Sequence, residues 1–272
     1  MRSDKNLNRL ARLLPEGLFV DAAWLTGHGY SSSLRSHYVS AGWLTQPARR
    51  VYQRPRGALN WQQTVISLQA LLGHKLIVGG RSALDLRGFA HYLPRRRKEI
   101  HLYGPQRPPN WLHALPAGVR FVYHNSERLF RHRTDRIRAT TNTPLPPDLS
   151  SELWGQWDWQ FTVSSPERAI LELLDELPDR ETFHQVDKIF EGLASLSPRR
   201  LQPLLEGCRS IKVKRLFFFF ADRHRHAWLR RLDKSSIDLG KGKRMLVRGG
   251  TLNTKWQITV PKDLASKALD VL

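Results

Sequence analysis

Apolar positions in this chain recur mostly at helical spacing, broken by short runs that alternate like strands. Leu7, Leu10, Ala11 and Leu14 form one stripe of a helix over 6–14, which Pro15-Glu16-Gly17 closes. Asp21 is placed to cap a short helix over 22–25, and Gly27-His28-Gly29 turns the chain. Ser31 caps a second helix over 32–41, with Leu34, Tyr38 and Ala41 inward, and Gly42 ends it. Trp43-Leu44 and Val51-Tyr52 read as short β runs around 45–50, a hairpin with basic residues near its tip. Helix, helix, turn, helix and basic hairpin is the order of a winged helix-turn-helix.

The pattern then becomes mixed. Val65, Leu68, Leu71 and Leu72 predict an amphipathic helix over 61–72, and Leu76-Ile77-Val78 a buried strand. Gly79-Gly80-Arg81-Ser82 opens a helix over 83–86. Such a turn either cradles a phosphate on backbone N–H groups or lets strand and helix pack closely, and without a Lys-Ser/Thr or a third glycine the second reading is favoured. Strands are predicted at 99–103 and 119–123, with a helical turn entered at 108–112. The proline-bearing stretch 140–151 is the most linker-like in the chain.

In the second half, Trp157, Trp159, Phe161 and Val163 alternate as one face of a strand. Ser165 and Pro166 start a helix whose buried stripe is Ala169, Ile170, Leu173, Leu174 and Leu177, with Glu172, Asp175 and Glu176 expected to face out. Further helices are predicted at 182–192 and 198–208. The next helix carries Val213, Leu216, Phe217, Phe220 and Ala221 on one face, with Phe218 and Phe219 on its flanks, so it should be buried on most sides. Lys212, Lys214 and Arg215 crowd its first turn, where the macrodipole disfavours cations, and an acidic partner is expected there. A basic glycine turn over 238–244 leads into a predicted strand, 245–247, and back through Gly249-Gly250 to 256–260.

Composition sharpens this picture. The 272 residues carry a formal net charge of +20 and include 9 Trp and 11 Phe, so a core can form and a polyanionic partner is favoured. No apolar run approaches the ~20 residues of a spanning helix, and the N-terminus lacks a signal-peptide core, so a cytoplasmic protein is expected. The single cysteine, Cys208, excludes an intrachain disulfide and a multi-Cys zinc site. Asp222, His224 and His226 alternate, but no further ligand cluster follows, so neither metal nor cofactor is expected. Hydrolase and metalloprotease motifs are absent, which argues against an enzyme.

The fold class read from these elements is α+β, an N-terminal winged helix-turn-helix over 1–56 followed by a larger mixed α/β domain over 57–272, with 140–151 as its place of subdivision. DNA-binding candidates are Ser32, Ser33, Arg35 and Ser36 on the recognition helix, whose hydroxyls and guanidinium suit phosphates and base edges. Arg49, Arg50, Arg54 and Arg56 lie where a wing would follow the phosphates. The runs Arg95-Arg96-Arg97-Lys98 and Arg128, Arg131, Arg133, Arg136 and Arg138 are further basic stretches. Lys214, Arg215, Lys241, Lys243 and Arg244 are the candidate anion contacts of the C-terminal half.

Three stretches, GYSSSLRSHYVSAGWL, VSSPERAILELLDELP and KVKRLFFFF with its following IDLGKGKR, together with GGRSALDLRG, resemble the AbiEi family. These are antitoxins of type IV, abortive-infection toxin–antitoxin systems. The resemblance implies that the winged unit binds inverted repeats in the operon's own promoter and represses it, through Ser32, Ser33, Arg35, Ser36, Arg49 and Arg50. It implies a C-terminal domain that counters a nucleotidyltransferase-like toxin without a stable complex, and binding to double-stranded DNA as a dimer or cooperatively. No catalytic motif carries over. Two rival readings stay open: an RNA-binding protein that shields the toxin's RNA target, and a cryptic nuclease or kinase.

Overall fold

The computed structural model describes residues 2–89, 99–130, 144–155 and 159–265. Arg95 to Lys98, Arg131, Arg133, Arg136, Arg138 and Trp157 lie outside the described residues, as do positions 140–143 of the predicted linker.

The N-terminal unit is a winged helix-turn-helix. Helix α1 (Arg2–Leu13) buries Leu10, and Leu14 just beyond it; strand β1 (Phe19–Asp21) follows. Asp21 then caps α2 (Ala22–Gly27), its carboxylate accepting from Trp24 N at 2.8 Å. Ser31 caps α3 (Ser32–Ser40), its hydroxyl accepting from Leu34 N at 3.3 Å. Strands β2 (Thr45–Ala48) and β3 (Val51–Gln53) form the wing, and β1 pairs with β3 to give the order β1-β3-β2. Two expectations change in detail. The first wing strand begins at Thr45 rather than Trp43, and Ala41 is exposed because α3 ends before it.

Helix α4 (Trp61–Ile66) starts from an Asn60–Gln63 capping box and widens into a π turn, Ser67–Leu71. It leads to the five-stranded sheet: β4 (Ile77–Val78), α5 (Gly80–Leu86), β5 (Glu99–Gly104), β6 (Arg120–Asn125), β7 (Leu149–Trp154) and β8 (Trp159–Ser164). Strand order is β6-β5-β4-β8-β7, with β5∥β6 and β4∥β8 and the other pairs antiparallel. The end of the predicted linker is therefore sheet: Leu149 to Ser151 belong to β7. Helices α6 (Pro166–Asp175), α7 (Phe183–Gly192), α8 (Pro198–Gly207) and α9 (Ile211–His224) follow, then β9 (Thr251–Asn253), β10 (Ile258–Val260) and α10 (Lys262–Ala265).

The two faces of the sheet serve two cores. Strand alternation sends Ile100 and Leu102 of β5, with Val78, Phe161 and Val163, into one cluster with Leu10, Phe19, Leu25, Tyr38 and Val51 of the winged unit. Phe19 meets Trp111 edge to face, with ring centroids 5.6 Å apart, and its N–H donates to Ser67 Oγ at 3.1 Å. The expected division at residue 56 thus does not coincide with a break between cores. On the other side, α5 to α9 gather around the phenylalanines of α9; Phe217, Phe218 and Phe220 are fully buried, each worth roughly 2–3 kcal/mol in area removed from water.

Two readings of the C-terminal half are corrected. The segment 245–247 is not a strand, because Leu246 N and Val247 N both donate to the Thr259 hydroxyl, at 2.7 and 3.0 Å, in place of a backbone ladder. Glu172 does not face solvent: it is wholly buried, and so is Arg168 one turn before it.

Candidate nucleic-acid interface

The turn between α2 and α3 sets the geometry of the recognition helix, and Arg35 fixes it. Its Nη1 donates to Thr26 Oγ1 at 2.8 Å, to the Tyr30 carbonyl at 2.9 Å and to the Ala22 carbonyl at 3.3 Å, and its guanidinium lies over the Tyr52 ring. Arg35, expected to read a base, has its Nη1 held by the α2 end and the turn, while its Nε is buried without a hydrogen-bond partner among the described residues. Ser32, Ser33 and Ser36 are exposed as expected, and so are His37 and Ser40, which the sequence reading did not select. They belong to the same short helix with no apolar neighbour to mark them.

At the wing tip, Arg49 and Arg50 are exposed, and neither guanidinium makes an ion pair or hydrogen bond among the described residues. Arg50 sits at φ 65°, a left-handed conformation that costs ~1 kcal/mol outside glycine. Its carbonyl accepts from Ala22 N at 2.8 Å, which ties the wing to the start of α2. Arg54, a candidate contact, is turned the other way. Its Nη1 donates to the carbonyls of Ala11 and Leu14, both at 3.1 Å, and its Nη2 reaches Glu16 at 2.9 Å, so it caps α1 rather than extending the wing.

The C-terminal basic turn is organised from beneath. Arg215 is buried and forks onto four carbonyls: Leu239 at 2.7 Å, Gly240 at 3.0 Å, Gly242 at 2.6 Å and Gln257 at 3.1 Å. Lys214 is buried as well. Neither offers its charge outward, which corrects their selection as anion contacts. Lys241, Lys243 and Arg244 are exposed on the turn that Arg215 holds. The acidic partner expected for the first turn of α9 lies inside the chain: Lys212 Nζ donates to the carbonyls of Asp175 and Leu177, at 2.6 and 2.8 Å, and sits 3.7 Å from the Asp175 carboxylate. It neutralises the negative end of α6.

The glycine pair serves close packing. Gly80 N donates to Glu172 Oε2 at 2.8 Å, so the start of α5 already holds a carboxylate of this chain. A Cβ on Gly79 would collide with Glu172 and Tyr103, and Gly80 has φ 51°. The same Glu172 accepts from Ser164 Oγ and Arg168 Nε, both at 2.8 Å, and Arg168 Nη1 reaches Asp148 at 2.9 Å.

The sheet's second face also carries an array that the sequence reading missed. His101 Nδ1 lies 2.9 Å from His124 Nε2, and His124 Nδ1 lies 3.0 Å from Glu176 Oε1. Tyr103 stacks on His124 with centroids 4.4 Å apart. Burial, then the neighbouring His124, pushes His101 down to about 4. Burial also raises the Tyr103 hydroxyl well above its ordinary value. Burial works against ionisation of Glu176, but the hydrogen bond from His124 and the nearby cations hold it below the usual carboxylate value. Cys208 is buried and its thiol is pushed up to about 11, which makes it a poor nucleophile.

Among the described residues no group of three His, Cys, Asp or Glu side chains is placed to hold a metal. His224 pairs with Asp187 at 2.9 Å, Asp222 accepts from Trp256 Nε1 at 2.9 Å, and His226 bonds the Phe190 carbonyl at 2.6 Å, so the Asp222–His224–His226 alternation is absorbed by packing. No helix among the described residues is long and apolar enough to cross a membrane.

Two family models match the chain. One, described as a transcriptional regulator, AbiEi antitoxin, of a type IV toxin–antitoxin system, covers residues 97–261. The other, described as the N-terminal domain of the AbiEi antitoxin transcriptional regulator, covers residues 3–95. No curated protein sequence matches. Among solved structures, the crystal structure of the RV2827C protein from Mycobacterium tuberculosis is similar over 98% of this chain and 93% of its own, with a TM-score of 0.57 and 17% identity. That likeness concerns the fold.

Proposed function

This chain belongs to the AbiEi antitoxin family of transcriptional regulators from type IV toxin–antitoxin systems, and on that premise we propose that it represses its own promoter and counters its toxin by binding rather than catalysis. The observation that carries the first half is the pairing of an exposed α3 face, Ser32, Ser33, Ser36 and His37, with two unpartnered wing arginines, Arg49 and Arg50. Hydroxyls and imidazole would reach base edges and phosphates in the major groove while the wing follows the backbone. Arg35 would act by holding α3 at the right angle. Such work on a promoter would be done in the cytoplasm.

The toxin would be a nucleotidyltransferase-like product of the adjoining reading frame, opposed without a lasting complex. Lys241, Lys243 and Arg244 would contact the acidic partner of that activity, on the turn that Arg215 shapes. The test has two arms, both on the full chain. Fluorescence anisotropy should show the protein binding its own promoter fragment at least tenfold more tightly than a shuffled duplex; equal binding ends the repressor reading. Co-expression with the neighbouring toxin should restore growth, and a Lys241→Ala/Lys243→Ala/Arg244→Ala variant should fail to do so while still binding promoter DNA.

A further inference from the structure

Between the end of α6 and the edge of the sheet lies a cleft of about 570 Å³, within the range that holds small-molecule ligands and remote in sequence from the winged unit. Its floor is aromatic, with Tyr103, Tyr123 and His124 lining it. Tyr123 is fixed there by its hydroxyl, which donates to the Gly104 carbonyl at 3.0 Å. His124 is held on both nitrogens, by His101 and by Glu176, and its ring is stacked on Tyr103. The floor is thus preorganised without any ligand.

The walls carry charge of both signs, arranged unevenly. Arg107 and Arg128 line the cleft, are exposed, and make no ion pair or hydrogen bond among the described residues. Acids line it too: Glu176, which already accepts from His124 and from Arg180, Asp175, which sits beside Lys212, and Asp179, which has no partner among the described residues. A wholly apolar ligand would leave most of this largely polar lining without a partner. A ligand that is anionic throughout would meet the carboxylates of Asp179 and Glu176. The lining suits a molecule with an anionic end for the two guanidiniums, a flat body for the aromatic floor, and hydrogen-bond donors for the acids. Arginine forks match phosphate oxygens. Ribose hydroxyls and exocyclic amines supply the donors.

We infer that this cleft binds a nucleoside phosphate. It is a ligand site separate from the DNA-binding and antitoxin surfaces, and it stands whether or not those assignments hold. The anion end lies between Arg107 and Arg128, and the base rests against Tyr123 and His124.

The test is titration calorimetry on the full-length protein with each of the four ribonucleoside monophosphates, alongside ribose 5-phosphate, inorganic phosphate and unphosphorylated adenosine. At least one nucleotide should bind saturably, tenfold or more tightly than any of the three fragments. Arg107→Ala and Arg128→Ala, both at exposed positions, should each weaken it at least fivefold. Arg49→Ala/Arg50→Ala and Lys241→Ala/Lys243→Ala should leave it unchanged, which separates this cleft from the protein's general basicity. Absence of saturable binding at millimolar nucleotide overturns the inference. So does binding that survives both cleft variants, or binding lost equally in the wing variants. Inorganic phosphate binding as tightly as the nucleotides would overturn the nucleoside assignment, and glutamate dipeptide competing equally would point to a peptide instead.

Discussion

Arg35 donates to the carbonyl oxygen of Tyr30 at 2.9 Å, across the turn that separates the two helices of the helix-turn-helix. With its bonds to Thr26 and Ala22, it makes the recognition helix and its support one rigid piece. Arg35→Ala should therefore cost roughly 1–3 kcal/mol in urea unfolding, since it strands half-buried acceptors. It should weaken binding to promoter and random duplex alike. Selective loss for one base pair, with stability intact, would return Arg35 to the role of a reader.

The wing makes a separable prediction. Arg49→Ala and Arg50→Ala should each reduce the slope of log affinity against log salt by about 0.9, with little change in sequence preference. Arg50→Gly should lose the same contact yet raise stability by ~1 kcal/mol, because the backbone at φ 65° suits glycine. A stability gain in Arg50→Ala equal to that in Arg50→Gly would show that the gain does not come from relief of the left-handed conformation.

Removing Glu172 should be among the most damaging single changes. Glu172→Ala leaves Arg168 wholly buried with only Asp148 for compensation, and releases the first N–H of α5. A loss of about 3–5 kcal/mol is expected, read from chemical denaturation. A loss below 1 kcal/mol would mean that water takes the place of the carboxylate.

Acid should destabilise the protein in a definite window. His101 in the folded chain titrates at about 4, below the ordinary 6.5, so the unfolded chain takes up this proton first. Its contribution is fully present above pH 6.5, is lost as pH falls from 6.5 towards 4, and changes no further below that. The loss is at most ~3 kcal/mol. Glu176, held below its ordinary value, adds a loss of the same sign at more acidic pH. A His101→Gln variant should flatten the thermal-unfolding profile between pH 6.5 and 4; an unchanged profile would remove His101 as the cause.

Arg215→Lys keeps the charge but cannot reach four carbonyls in one plane. The turn over 239–242 should loosen, and trypsin should cut after Lys241 and Lys243 several-fold faster than in the parent. Equal cleavage would mean that the glycines alone shape the turn.

Local chemistry was the legible part of this chain. Asp21 and Ser31 announce their helices because a cap acts within three residues, and the phenylalanines of α9 announce a core because five apolar positions share one face. What resisted reading depends on partners far along the chain. Strand β1 is three residues long and makes sense only beside β3, thirty positions on. Glu172 and Arg168 look like a solvated i,i+4 pair, and only Asp148 and the start of α5 turn them inward. His101 and His124 meet only because β5 and β6 run parallel in one register. Arg35, Arg54 and Arg215 share a lesson: a guanidinium tied to backbone carbonyls and a free one look alike in sequence, and only the distant carbonyls decide which is which.

The core that Phe19, Val51, Ile100 and Val163 share has a mechanical consequence. Because that core spans both sides of residue 56, a change in the aim of α3 would carry over to the helices around α9. If two copies bind two promoter half-sites, as the proposed repression implies, adding one base pair between the sites would turn one copy's C-terminal half by about 34° relative to the other's. Spacer length would then act as a dial on how closely the two antitoxin halves approach.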